Sequence, residues 1–346
     1  MQPWLITLLF AFTQNVVLAT TVDANGQLQP VASYPIHEPG LKQPNQRAMA
    51  PFQVTVHPFD SPTPDSCAYE SGSQDAENAI IVIGGLGGGP HTLGVARKIS
   101  DTLLNAPELS YSLFEIRMRS SFNSYGHSSL QQDADDISAL VDYLRLIGRK
   151  KIVLLGHSTG CQDIMMYNKL KDKVTSVDGF ILQGPVSDRQ AFMYVTVKPE
   201  EMETYQQAII YARDKDAEGK GLEWMPRSMM PEAMRDTPFT VYRFLSLVDV
   251  GGDDDFFSSD LSLDAVSEIW KSLTKPAMVL HSGEDEFVPE FVNKEGLISK
   301  WKAIEPLVSP LSGVIPGADH AVSKPVSAEW YCNRIVDFLG SLENQS

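Results

Sequence analysis

Cysteine is scarce: Cys67, Cys161 and Cys332 are the three thiols in a chain of 346 residues. They exclude a disulfide scaffold, allow one bridge at most, and show no metal-ligand spacing. Basic side chains are also in deficit, 28 Lys and Arg against 44 Asp and Glu, for a formal net charge of −16. Sequence-independent nucleic-acid binding is thereby disfavoured, since it needs cations to displace phosphate counterions. No apolar run reaches the ~20 residues of a membrane-spanning helix, and the block at residues 4–12 is closed by Gln14 and Asn15. No internal repeat is apparent. What remains is 43% apolar and 21% charged, enough for one large or two modest domains with a real core.

The amino terminus has the pattern of a secretory leader. Val17 and Ala19 place small residues at −3 and −1 of a cut before Thr20, although Met1, Gln2 and Pro3 add no basic side chain. A signal peptide over residues 1–19 and a secreted protein are expected; the alternative is a disordered leader on a cytoplasmic one. Residues 20–50, rich in Pro, Gln and Ser, read as a loosely structured lead-in to a folded domain over 51–346, with an early strand at 52–57.

From Asn78 onward short apolar runs alternate with helical periodicity. Ile80-Ile81-Val82-Ile83 is continuous and ends in glycines, as a strand buried on both faces should be. Similar runs lie at 112–116, 152–155, 180–182, 277–280 and 311–315. Ile137, Leu140, Val141 and Leu144 recur at helical spacing before a stop at Gly148, and Tyr331, Ile335, Phe338 and Leu339 repeat the pattern after Pro325. The spacing predicts an α/β fold: a mostly parallel central sheet flanked by helices. The alternation lapses over about 186–260, a Met-, Glu- and Pro-rich stretch predicted to form a mainly helical lid.

Gly156-His157-Ser158-Thr159-Gly160 follows one of these strands and opens a helix. In that setting G-x-S-x-G is a nucleophile elbow, where a tight turn strains the serine and glycines remove colliding side chains. A serine hydroxyl needs a base. His320, after the last strand, is the best placed, and Asp285, after the 277–280 strand, is the candidate acid in Asp285-Glu286-Phe287-Val288-Pro289. Glu284, Glu286 and Asp319 compete as neighbours; His157 is expected to line the turn, and His91, His127 and His281 are left without a role. The order Ser158, Asp285, His320 is that of α/β-hydrolases.

An oxyanion needs preorganised donors. The N–H of Thr159 is one candidate, and the N–H of Leu86, in Gly84-Gly85-Leu86-Gly87-Gly88-Gly89, is the other. Gly85 would let the backbone approach the substrate carbonyl. A phosphate-binding loop is the rival reading, but neither Gly-Lys-Ser/Thr nor Gly-x-Gly-x-x-Gly is present there.

Four segments together resemble a fungal and plant α/β-hydrolase family that includes the fusarinine-type siderophore esterase. They are Ile83-Gly84-Gly85-Leu86, Ser120 through Leu130, Gly156 through Asp163, and Ile181 through Arg189. The likeness runs from about residue 52 to the carboxyl end. Departures are the leader and Gly87-Gly88-Gly89, where a more polar stretch is usual. The resemblance implies the α/β-hydrolase fold, a Ser158–Asp285–His320 triad, no metal or organic cofactor for catalysis, and a small-molecule ester as partner, with a hydroxamate siderophore as one such substrate. A simpler carboxylesterase or lipase-like enzyme, an acyltransferase, and a catalytically silent binding module are the alternatives. The sequence leaves oligomeric state open. Arg189 is a candidate to touch substrate or brace the lid. Asp253, Asp254 and Asp255 read either as a solvated loop or as an attractor for cationic substrate.

Overall fold

Neighbouring residues of the 80–83 run face opposite ways. Ile81 and Ile83 enter one apolar core, Ile80 and Val82 another. A strand between two cores needs apolar side chains at every position, which is why these runs do not alternate.

The structure, a computed structural model, describes residues 51–343 in full and, before them, the backbone of three strands. Two compact units result, Met1–Phe52 and Gln53–Ser346. In the first, β1 (Ala11–Thr13), β2 (Val16–Val22) and β3 (Leu28–Pro35) pair antiparallel in a sheet of their own. The leader expected over 1–19 and the lead-in over 20–50 fall mostly outside the described residues.

The second unit is built on β4 (Thr55–Pro58), β5 (Cys67–Ser71), β6 (Asn78–Ile83), β7 (Tyr111–Arg117), β8 (Ile152–His157), β9 (Gly179–Gln183), β10 (Ala277–Ser282) and β11 (Gly313–Ile315). Their order is β11-β10-β9-β8-β6-β7-β5-β4, parallel from β11 through β7, with β5 and β4 added antiparallel at one edge. The connections carry α1 (Val95–Leu104), α2 (Leu130–Leu146), α3 (Gly160–Lys169), α4 (Asp188–Ala191), α5 (Met202–Ala217), α6 (Val241–Val248), α7 (Leu263–Trp270), α8 (Lys294–Ile304) and α9 (Pro325–Glu343). Residues of α1 and α9 pack on the Ile80 and Val82 face; those of α2, α3, α7 and α8 pack on the other. This is the mostly parallel α/β architecture expected from the alternation, and the α/β-hydrolase fold the resemblance implies.

Helix α2 shows how the sequence sets an element. Ser129 caps it by accepting from Gln132 N, and Gly148, at φ +94°, ends the segment that follows. Ile137, Leu140, Val141 and Leu144 are fully buried against the sheet, each contributing about 1.5–3 kcal/mol.

The early strand expected at 52–57 starts at Thr55 and ends at Pro58, and two more strand readings need correction. The strand β5 is absent from the sequence reading because its residues are alternately half-buried and buried and include Glu70 and Ser71, so it resembles a polar connection. The last strand starts at Gly313, not 311, because Ser312 N–H turns back to Ser309 O while its hydroxyl accepts from Val279 N. The three cysteines are free thiols.

The interval expected as a lid contains α4, α5 and α6 and has its own core, with Tyr205, Met230, Phe239 and Phe244 at its centre. Among the described residues no helix is long and apolar enough to cross a membrane.

Candidate active site

The chain leaves β8 at His157, turns at Ser158 and enters α3 two residues later. Ser158 has φ +55°, left-handed backbone that costs a non-glycine residue ~1–3 kcal/mol. The turn is too tight for side chains on either side. A Cβ on Gly156 would stand 2.3 Å from the Gly160 carbonyl oxygen, and one on Gly160 2.4 Å from that of Ile83. Ser158 N–H donates to Gln183 O at 3.0 Å, and Cys161 N–H donates to Ser158 O at 2.8 Å. The Cys161 thiol lies 3.3 Å from the carbonyls of both Gly156 and Gln183, and burial pushes its pKa well up, so it braces the elbow as a neutral group.

His320 follows β11 and lies beside Asp285, which follows β10. Its Nδ1 is 2.8 Å from Asp285 Oδ2, with both side chains buried. With Nδ1–H donated to the carboxylate, Nε2 is left as the acceptor. The competing acids are occupied elsewhere. Glu284 pairs with Lys324, Glu286 accepts the backbone N–H of His320, and Asp319 accepts from Ser323. Ser158 and His320 line one cavity of about 430 Å³. No hydrogen bond joins them among those of the described residues; such bonds commonly tighten when substrate is engaged.

Gly85 faces the nucleophile. A Cβ there would be 2.7 Å from Ser158 Cβ and 3.3 Å from its Oγ. The N–H groups of Leu86 and Thr159 donate to no group among the described residues, while Gly88 N–H, two residues further along the loop, closes a turn onto Gly85 O at 2.8 Å. Two undirected donors flanking a strained hydroxyl are what an oxyanion requires. The cavity is otherwise mainly apolar, with Leu86, Tyr125, Val186, Phe192 and Phe287 among its walls. Phe287 sets its ring edge-on to His320, centroids 4.9 Å apart.

Not every candidate lies here. Arg189 is absent from the cavity wall; its guanidinium holds Asp255 and Asp260 and ties α4 to the segment after α6. The acidic run is neither a solvated loop nor an open attractor. Asp254 is buried in a two-pronged pair with Arg243, Asp255 accepts from Arg189 and Ser258, and the exposed Asp253 takes the Tyr242 hydroxyl. Of the histidines left without a role, His91 sits at φ +68° against Glu115, His127 packs on Trp224, and His281 is stacked on Trp301. Among the described residues, no cluster of three or more His, Cys, Asp or Glu could hold a metal ion.

Residues 45–340 match the family model described as "Protein of unknown function (DUF1749)". The chain belongs to the DUF1749 family. Its relatives include the UPF0613 protein PB24D3.06c of Schizosaccharomyces pombe, 32% identical over 292 residues, covering 79% of this chain and 90% of the relative. Fusarinine C esterase sidJ of Aspergillus fumigatus is 28% identical, covering 79% and 92%. Among solved structures, the siderophore hydrolase EstB from Aspergillus fumigatus superposes with a TM-score of 0.71 at 26% identity, over 85% of this chain and 99% of that one.

Two site residues of this DUF1749 member escaped the sequence reading. Gln183 donates from Nε2 to His320 O and Ser282 Oγ, and its Oε1 lies 2.5 Å from His157 Nδ1. Gly184, at φ +61°, leaves room for His320, whose Cε1 would be 3.2 Å from a Cβ there. Both fall in the Ile181–Arg189 segment, but a glutamine ending an apolar run carries no signal of what it will meet.

Proposed function

We propose that the protein hydrolyses carboxylic esters through an acyl-enzyme on Ser158. The observation that carries this reading is the left-handed Ser158 sharing a cavity with an imidazole held by Asp285. His320 Nε2 takes the hydroxyl proton as Ser158 Oγ bonds to the ester carbonyl carbon, and Asp285 steadies the imidazolium. The N–H groups of Thr159 and Leu86 receive the oxyanion; losing one such donor costs about 3–4 kcal/mol. Collapse breaks the ester C–O bond, and the alcohol leaves with the proton from His320. Water then adds to the acyl carbon, giving its proton to His320, and the acid is released as Ser158 recovers it.

The finer proposal is an ester of a hydroxamate siderophore, supported by relatives named for fusarinine C and siderophore hydrolysis. Iron-loaded fusarinine-type esters and short acyl esters should be compared as substrates, with Ser158→Ala as control and a fluorophosphonate as covalent probe. Hydrolysis and labelling are expected of the wild type, and neither of the variant. Wild-type turnover that survives in Ser158→Ala overturns the mechanism, and preference for short esters overturns the siderophore assignment.

A further inference from the structure

Behind the oxyanion loop lies a buried polar cluster that acyl transfer does not itself use. Asp133 comes from α2, Asp163 from α3, Asp188 from α4 and Asp254 from the segment after α6, while Arg243 of α6 is the cation they share. All five are at most 8% exposed. Arg243 clasps Asp254 through both terminal nitrogens and donates from Nε to Tyr125 O at 3.0 Å. Asp133 accepts Ser120 N–H at 3.2 Å. Asp163 Oδ1 has no hydrogen-bond partner among the described residues, and Asp163, Asp133, Arg243, Leu86 and Thr159 together bound a void of about 10 Å³.

Asp188 connects this cluster to the chemistry. It accepts from Gln162 Nε2 at 2.6 Å and from Thr159 Oγ1 at 3.4 Å, and it also lines the catalytic cavity. Thr159 is the residue whose N–H is assigned to the oxyanion. One guanidinium cannot offset four buried carboxylates, so the surplus groups keep their protons. Burial, the leading cause in each case, raises Asp188 to about 8 and Asp133 to about 7, and lifts Asp163 well above the usual range.

We propose that Asp188 is a positioning residue for ester hydrolysis: from the wall of the catalytic cavity its carboxyl fixes Thr159 beside the forming oxyanion. Arg243 clasps Asp254 from the lid side. The proposal rests on the esterase reading above. An ionised Asp188 would face Asp163, Asp133 and Asp254, all acidic, and Arg243, already clasped by Asp254. Across the cavity, burial and the neighbouring His320 hold His157 down to about 4, so His157 brings no positive charge at neutral pH. Negative charge beside Thr159 opposes a developing oxyanion directly.

The test is kcat for an activated ester from acid to alkaline pH in the wild type, Asp188→Asn and Asp188→Ser. Wild-type kcat should fall on the order of tenfold between about pH 7 and pH 9, with KM little changed. Both variants should lose that alkaline fall. An alkaline limb of the same midpoint in either folded variant overturns the proposal. So does a wild-type kcat that is flat to about pH 9, a result that needs no variant. Fluorophosphonate labelling separates the two levels: an unlabelled, inactive wild type removes the esterase reading, whereas a labelled enzyme with an unchanged limb removes only the role of Asp188.

Discussion

Gln183 Nε2 donates to the carbonyl oxygen of His320 at 3.1 Å, so the last residue of β9 supports the proposed base from 137 positions away. The same amide donates to Ser282 Oγ, which leaves its oxygen to accept from His157. That assigns the proton of His157 to Nδ1. One carboxamide thus orders the backbone of one histidine and the tautomer of another.

Gln183→Leu keeps the volume but removes all three bonds. The wild-type hydroxyl, carbonyl and imidazole are left unpaired, a cost of ~1–3 kcal/mol for each buried group that finds no other partner. We expect a lower melting temperature and a roughly tenfold loss in kcat with KM little altered. Unchanged kcat in the folded variant would show that His320 is held adequately without it.

Gly85→Ala tests the approach of the oxyanion loop. The added methyl would sit 2.7 Å from Ser158 Cβ, so the loop or the elbow must move. Displacing one donor by an ångström should lower kcat on the order of 10²-fold. Circular dichroism should be unaffected. Wild-type turnover in this variant would place the oxyanion donors elsewhere.

Asp285→Asn keeps the shape of the acid but not its charge, and should drop kcat on the order of 10⁴-fold by favouring the wrong imidazole tautomer. Glu284→Gln, which alters an exposed pair with Lys324, should leave kcat within about twofold. If Glu284→Gln proves the damaging change, the acid has been misassigned.

His281 offers a stability test with a defined sign. Burial lowers it from 6.5 to about 4, so between these values the unfolded chain binds a proton that the folded chain does not. Wild-type stability from this group is present above about pH 6.5 and is lost as pH falls toward about 4. His281→Phe removes that loss. Its stability relative to wild type should rise by about 1.4 kcal/mol per pH unit lowered across the window, measured by denaturant melts. A pH-independent difference would mean that His281 protonates normally in the folded protein.

Much of this architecture was legible because its causes are local. A strand between two cores must be apolar at each position, so 80–83 and 152–155 announced themselves, and the elbow glycines followed from the space a left-handed serine leaves. β5 was hidden because it carries Glu70, buried only through Arg149 and His57 from other elements, and the half-buried Ser71. The acidic run misled for a similar reason. Three aspartates in a row look solvated until Arg243 and Arg189 arrive from other elements to bury two of them.

By itself the sequence determined the alternation of strands and helices, the strained turn at Ser158 and the chain order of the three candidate triad residues, since each depends on neighbours a few positions apart. Tertiary structure alone decided which acid reaches His320, that Arg189 ties α4 to the segment after α6, and that Gln183 and Asp188 contact His320 and Thr159. Those outcomes turn on distances and desolvation between groups tens of residues apart, and side-chain types along a chain do not encode how far apart in space they will finally be, or how dry.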